Sequence, residues 1–254
     1  MPLPYSEPAS LRGRILGVRV DCVTRSRALE AIRDYLQQHH TRQVVTLNPE
    51  MLMMAQRDPD LYSAIEQADL VTADGAGLLI AGRLLGLALR ERITGVDLVP
   101  DLCRLAAERK EAVFFLGAGP GVATKCADSL AAAIPGLKVA GSHSGSPSPA
   151  EEQSICRSVN AAGTGILLVA YGVPAEEKWI ARNRQRLDVK VAVGVGGAFD
   201  FIAGRVPRAP RWMRGAGLEW VYRLWKQPWR WRRMMALPHF LALVLAQAVR
   251  ARLT

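Results

Sequence analysis

The chain is poor in cysteine: Cys22, Cys103, Cys126 and Cys156 are the four in 254 residues. They are far apart, form no CxxC pair and have no histidine at zinc-site spacing, so neither a disulfide framework nor a zinc module is expected. They read as reduced thiols of a cytosolic protein. Long apolar runs are missing too. No stretch of about 18 residues escapes Gly, Pro or a charge, so a spanning helix is not expected. The opening MPLPYSEPASLRGR sets prolines, a glutamate and arginines where a signal peptide needs an apolar run. Membrane contact, if there is any, is expected to be peripheral.

Acid is scarce in one region only. Residues 205–254 hold eleven Lys or Arg against the single acid Glu219, which leaves 22 residues of each sign in the first 204. The whole formal excess of +10 therefore sits in the tail. Trp212, Trp220, Trp225, Trp229 and Trp231, five of the six tryptophans, sit there as well. Arginine with indole suits an anionic lipid headgroup layer. A solvated basic face or a nucleic-acid patch accounts equally well for the charge alone. With 50% hydrophobic residues the chain can bury a large core, which excludes intrinsic disorder as its general state.

From about residue 25, apolar runs alternate with helical patterns, the signature of βα units and a largely parallel sheet. Strands are expected at Gln43 to Leu47, Leu70 to Ala73, Ala112 to Leu116, Leu137 to Ala140, Gly165 to Tyr171 and Val189 to Val195, with helices such as Ser26 to His39 and Val122 to Ile134 between them. Arg14 to Val18 and Arg19 to Val23 suggest a short hairpin or edge. The expected fold is α/β: a Rossmann-like, largely parallel sheet flanked by helices over residues 1–204, then a basic, Trp-rich helical appendage over 205–254. Pro207, Pro210, Pro228 and Pro238 are expected to break the appendage helices. The segment PHFLALVLAQAV is too short to span a membrane and fits either the lipid interface or packing on the body.

Several segments can carry chemistry. LVTADGAG ends a buried-looking strand at Asp74 and Gly75, and ligands of open α/β sheets gather at the carboxyl ends of strands. Asp74 is either a general base or the N-cap of a helix through Leu78 to Leu85. VVTLNPE ends a strand with Thr46 and Asn48. These either bind a sugar or phosphate or simply mark a helix entry at Pro49. After AVFFL, the Gly117–Gly121 turn opens a helix whose amides suit a nucleotide or phosphate. Dinucleotide binding fits poorly, because the next strand leads into Gly141 and Ser142 without the ribose-binding acid. Asp58-Pro59-Asp60 has the letters of a metal-chelating DxD, but its place after EMLMMAQR favours a helix cap. No metal site is expected, so arginines and amides must neutralise any departing diphosphate.

Taken in order, TLNPE (46–50), ADGAG (73–77), RITGVDL (92–98), FFLGAGPGV (114–122), YGVPAEEKW (171–179), VGVGGAFDFIAGRVPRAP (193–210) and EWVYRLWKQPWRWRR (219–233) resemble the WecG/TagA/CpsF family of bacterial glycosyltransferases. That family includes wall teichoic acid N-acetylmannosaminyltransferases and enterobacterial common antigen N-acetylmannosaminuronyltransferases. The resemblance implies inverting transfer of a sugar from a UDP-sugar to a polyprenyl-pyrophosphate-linked sugar in cell-surface polysaccharide synthesis, with no metal or other cofactor. The implied partners are the donor, the lipid-linked acceptor and an anionic membrane surface at the inner face of the cell membrane. Nucleic acid is not among them, and a homo-oligomer stays open. The resemblance casts Asp74 as the base and Thr46 as its active-site partner, with Arg223, Arg230 and Arg233 completing the site over the diphosphate. Asn48, Gly75, Gly117, Gly119, Glu176 and Asp200 are the expected substrate-binding positions. Two departures bear on specificity: Pro174-Ala175-Glu176-Glu177 stands where relatives commonly have Pro-Lys-Gln-Glu, and Gly145-Ser146-Pro147 where they often have Gly-Tyr-Phe. Glu176 near the substrate would disfavour a uronate donor by like-charge repulsion.

Overall fold

A computed structural model describes residues 12–210, 212–213, 219–226, 231 and 235–253. Six parallel strands, β3 (Arg42–Leu47), β4 (Leu70–Ala73), β5 (Ala112–Gly117), β6 (Lys138–His143), β7 (Ile166–Ala170) and β8 (Val191–Gly194), form one sheet in the order β4-β3-β8-β7-β5-β6. Apart from the largely exposed edge strand β6, KVAGSH, their apolar-rich sequences follow from burial on both faces, as a parallel sheet with helices on each side requires. Alternate residues serve opposite faces. Val44, Val113, Phe115, Ile166, Leu168, Val191 and Val193 join one core, with helices α1 (Arg25–Tyr35), α5 (Gly95–Arg109), α6 (Val122–Ala133) and α9 (Ala198–Ile202). Val45, Leu47, Phe114, Leu116, Leu167, Val169 and Ala192 face the other side, toward α2 (Pro49–Ala55), α3 (Pro59–Glu66), α4 (Ala76–Leu84), α7 (Pro149–Ala161) and α8 (Ala175–Asn183).

The N-terminal hairpin exists, but two residues earlier than its sequence suggests: β1 (Arg12–Ile15) pairs antiparallel with β2 (Val18–Asp21) around Leu16 and Gly17. Both turn residues have positive φ, 49° and 81°, the left-handed conformation that two-residue hairpin turns demand. Gly17 marks the place. The hairpin is fastened by Asp21, fully buried, which accepts from Arg19 Nε and Nη2 and from the Val71 amide of β4 at 2.8 Å.

Beyond residue 204, two helices are described, α10 (Glu219–Lys226) and α11 (Ala236–Leu253). Pro238, expected to break a helix, lies inside the first turn of α11. There its missing N–H costs nothing, because first-turn amides have no intrahelical partner. Phe240, Val244 and Ala248 recur every four residues and are buried, the first two in the core formed with α2 and α4, while Leu245 and Val249, one turn apart, face outward. The helix thus packs back on the body along one stripe and leaves an apolar stripe exposed. A cut at residue 204 would remove part of the body's own packing. No helix of the described residues is long and apolar enough to cross a membrane.

Candidate active site

All six strands run parallel, so their carboxyl ends share one edge of the sheet, and the crossover direction reverses between β7 and β5. Ligands of open α/β sheets enter at such a reversal. Thr46 pairs with Thr72 and Leu47 with Ala73 in the β3–β4 register, and the Asp74 amide donates to the Leu47 carbonyl at 2.6 Å. The structure therefore sets Thr46, Asn48, Asp74 and Gly75 at the adjoining ends of two neighbouring strands. Thr46 is buried, and its hydroxyl donates to the Gly194 carbonyl of β8 at 3.2 Å. Asn48 caps α2, its Oδ1 accepting from the Met51 amide at 2.9 Å, with Pro49 as the first helical residue. The cap position of α4 belongs to Gly75, not to Asp74, and it lacks a side-chain cap hydrogen bond.

Local packing explains the spacing of ADGAG. Gly75 has φ 105°, a backbone conformation that side chains disfavour. A Cβ on Gly77 would fall 2.8 Å from Pro49 Cγ and 3.7 Å from the Phe240 ring. The turns after β3 and β4 and the C-terminal helix therefore interlock at glycine-sized gaps. RITGVDL closes the same edge: the Ile93 amide donates to the Ala73 carbonyl, and Gly95 approaches the Val195 backbone so closely that a Cβ would lie 2.9 Å from its oxygen.

The glycine-rich turn leaves the end of β5. Gly117 has φ 104°, and a Cβ there would lie 2.7 Å from the Ala170 carbonyl carbon. The Ala118 amide donates to the Ala170 carbonyl at 2.8 Å, so the turn is drawn against the end of β7. Gly121, in the left-handed region, caps α6 without a side-chain hydrogen bond, and the Val122 amide turns back to the Gly119 carbonyl at 3.0 Å. Arg205, an exposed residue, brings Nη1 to 2.8 Å from where a Gly119 Cβ would stand. Asp200, in the first turn of α9, is half-buried, and its carbonyl accepts from the Arg205 and Val206 amides.

One basic contact has no local sequence signal. Arg208 donates to both carboxylate oxygens of Asp97 at 2.7 and 3.0 Å across 111 residues, fixing RVPRAP to the start of α5. Thr94 caps that helix and donates to Asp97 at 2.7 Å. Burial pushes the Asp97 carboxyl up, but Arg208 and Thr94 outweigh it and hold the group below the usual aspartate range.

Other expectations change. Glu176 is 1% exposed, and its carboxylate accepts from the backbone amides of Gly172 and Gly196. It points into the protein, so the expected repulsion of a uronate finds no exposed carboxylate here. Asp58 caps α3 through the Leu61 amide, with Pro59 first in the helix, and pairs with Lys178 at 3.0 Å. Arg230 and Arg233 lie outside the described residues; Arg223 falls within α10, where the backbone alone is described. Trp212, Trp220, Trp225 and Trp231 are exposed.

The family model described as "Glycosyl transferase WecG/TagA/CpsF family" matches residues 13–254. Among curated proteins, the chain is 32% identical over 224 residues to the N-acetylglucosaminyldiphosphoundecaprenol N-acetyl-beta-D-mannosaminyltransferase of Bacillus subtilis, covering 86% of this chain and 87% of that protein. It is 35% identical over 211 residues to the protein of the same description in Bacillus spizizenii, covering 83% and 81%. The Staphylococcus aureus protein so described is 30% identical over 232 residues, covering 89% of each chain.

Proposed function

We propose, from the premise that this chain belongs to the WecG/TagA/CpsF family of glycosyl transferases, that it moves an N-acetylmannosamine-like sugar from a UDP-sugar to a polyprenyl-pyrophosphate-linked sugar in cell-surface polysaccharide synthesis. The relatives' descriptions supply the sugar and acceptor classes. The observation that carries the reading is the junction of Thr46 and Asp74 at adjoining strand ends, where the Asp74 amide meets the Leu47 carbonyl, on the same carboxyl edge of the sheet as the glycine-rich turn after β5.

In this account Asp74 takes the proton from an acceptor hydroxyl, which attacks the anomeric carbon in a single displacement and inverts it. Negative charge then grows on the UDP leaving group. Arg223, Arg230 and Arg233 stabilise it from the appendage, and the amides of the Gly117–Gly121 turn complete its cradle. Arginine and amide neutralisation lets the step run without a metal ion. Thr46, Asn48, Gly75 and Asp200 line the donor and acceptor. The exposed tryptophans and the outer stripe of α11 rest on the anionic inner face of the cell membrane, where the lipid-linked acceptor resides.

A panel of UDP-sugars offered with a polyprenyl-pyrophosphate-linked N-acetylglucosamine, scored by UDP release, tests the reading. Turnover of UDP-N-acetylmannosamine above the other donors is expected. Absence of UDP release with every donor would overturn it.

A further inference from the structure

Two adjacent glutamates are buried in the first turn of α8, behind the carboxyl ends of the central strands: Glu176 is 1% and Glu177 0% exposed. Among the described residues neither makes an ion pair. Glu176 is held by amides instead: Oε2 accepts from Gly172 at 2.9 Å, and Gly196 reaches Oε1 at 2.9 Å and Oε2 at 3.1 Å. Gly172 begins the turn after β7, and Gly196 lies in the turn after β8. One carboxylate therefore ties together the ends of two central strands. Glu177 is differently placed. Its Oε2 accepts from Gln43 Nε2 at 3.1 Å, Oε1 has no hydrogen-bond partner among the described residues, and the side chain lies against Gly194, where a Cβ would be 2.2 Å from Oε1. The Gly194 carbonyl in turn receives the Thr46 hydroxyl.

Two neighbouring carboxyls without a counter-charge do not both ionise in a dry interior. The charge belongs on Glu176, which accepts three amide contacts, and the proton on Glu177, whose Oε1 receives none.

We propose that Glu176 is a positioning residue for sugar transfer: its ionised carboxylate fixes the spacing of the Gly172 and Gly196 turns beside Gly194 and Thr46, and these turns loosen when that carboxylate takes up a proton. The catalytic part of this inference rests on the sugar-transfer reading. Burial pushes the Glu176 carboxyl up to about 7, against the lowering effect of the Gly172 and Gly196 amides. Burial and then the charge of Glu176 push Glu177 well above the ordinary range, with Gln43 opposing. The surrounding elements supply dipoles. Gln43 and Thr46 on β3 and the glycines after β8 are uncharged, and Tyr171 before Gly172 packs its ring edge-on against Trp179. Asp58 and Asp60 at the start of α3 are matched by Lys178, and Glu152 of α7 by Arg182.

A carboxyl titrating near 7 goes from about one-tenth to about nine-tenths ionised between pH 6 and 8. Amide hydrogen exchange on the full chain, corrected for the intrinsic pH dependence of exchange, should show the segments holding Gly172 and Gly196 gaining protection about tenfold over that interval. Glu176→Gln should abolish the gain. Glu177→Gln should keep the gain and leave its midpoint in place, because the carboxyl it replaces is already neutral. In the UDP-release assay, kcat/KM of the native chain should climb through a midpoint near 7, and Glu176→Gln should lose that limb while its KM for the donor rises. Equal protection at both pH values in the native chain would overturn the inference, as would turnover profiles of native and Glu176→Gln protein that superimpose. If no UDP-sugar is turned over yet protection follows the pattern above, the clamp stands and the sugar-transfer reading falls. If Glu176→Gln does not fold, exchange of the native chain alone decides.

Discussion

Replacing Phe240 with alanine should weaken the whole body rather than fray its C-terminus. The ring is fully buried in the core formed by α2, α4 and the β1–β2 hairpin, and it lies 3.7 Å from the Cβ position of Gly77. Truncating a buried phenylalanine costs about 3–5 kcal/mol, the lost transfer energy plus a cavity term. For a chain of this size about 1 kcal/mol corresponds to a shift of about 2–4 °C in Tm, so a drop of about 6–20 °C is expected. Val244→Ala, one turn on, removes two methyl groups from the same stripe and should cost about 2 kcal/mol. Leu245→Ser on the outer stripe should stay within about 0.5 kcal/mol, because that side chain is already exposed, yet it should weaken binding to anionic vesicles. Chemical denaturation gives the midpoints, and vesicle sedimentation gives the binding. A Phe240→Ala loss below about 1 kcal/mol would refute the packing of α11 on the body.

Arg208→Ala should leave Asp97 without its two-pronged partner and cost about 1 kcal/mol, a value kept small by the partial exposure of both side chains. Because Asp97 is held below its ordinary range, this contribution is complete above that range and disappears as pH falls through the depressed value. The native and mutant midpoints should therefore converge in acid, and a constant gap down to pH 2 would contradict the assignment. Asp58→Ala should cost about 1 kcal/mol by uncapping α3 and leave UDP release and its insensitivity to chelators unchanged. A selective loss of turnover that added divalent metal restores would instead make Asp58-Pro59-Asp60 a metal site.

Much of the sheet was legible because a strand buried on both faces reads as an unbroken apolar run. All six expected runs overlap observed strands, with ends shifted by at most three residues, as at β6 (Lys138–His143). Turn chemistry is less visible: the apolar pattern puts the hairpin turn at Val18–Arg19, whereas the left-handed Leu16–Gly17 pair sets it earlier. Pro238 reads as a breaker in sequence because a proline's effect depends on which helical turn it occupies, and neighbouring residues do not reveal the start of α11. At the candidate site, Thr46, Asn48, Asp74 and Gly75 could be singled out locally, since each follows directly from a strand end. Glu176 is singled out only through the resemblance, as a substrate contact; its burial against the turns after β7 and β8 depends on those strands being neighbours, a pairing no short stretch encodes. The Asp97–Arg208 contact was hidden for the same reason, with 111 residues between its partners. The segment PHFLALVLAQAV offers a choice between lipid interface and body packing, and α11 buries Phe240 and Val244 while leaving Leu245 and Val249 exposed.

The most direct test of sugar transfer by this site is the turnover of Asp74→Asn, an isosteric change that removes the base while keeping the turn between β4 and α4. With donor and lipid-linked acceptor both saturating, kcat for UDP release should fall by about two orders of magnitude or more, with Tm and donor binding unchanged. Near-native kcat in that variant would contradict the account.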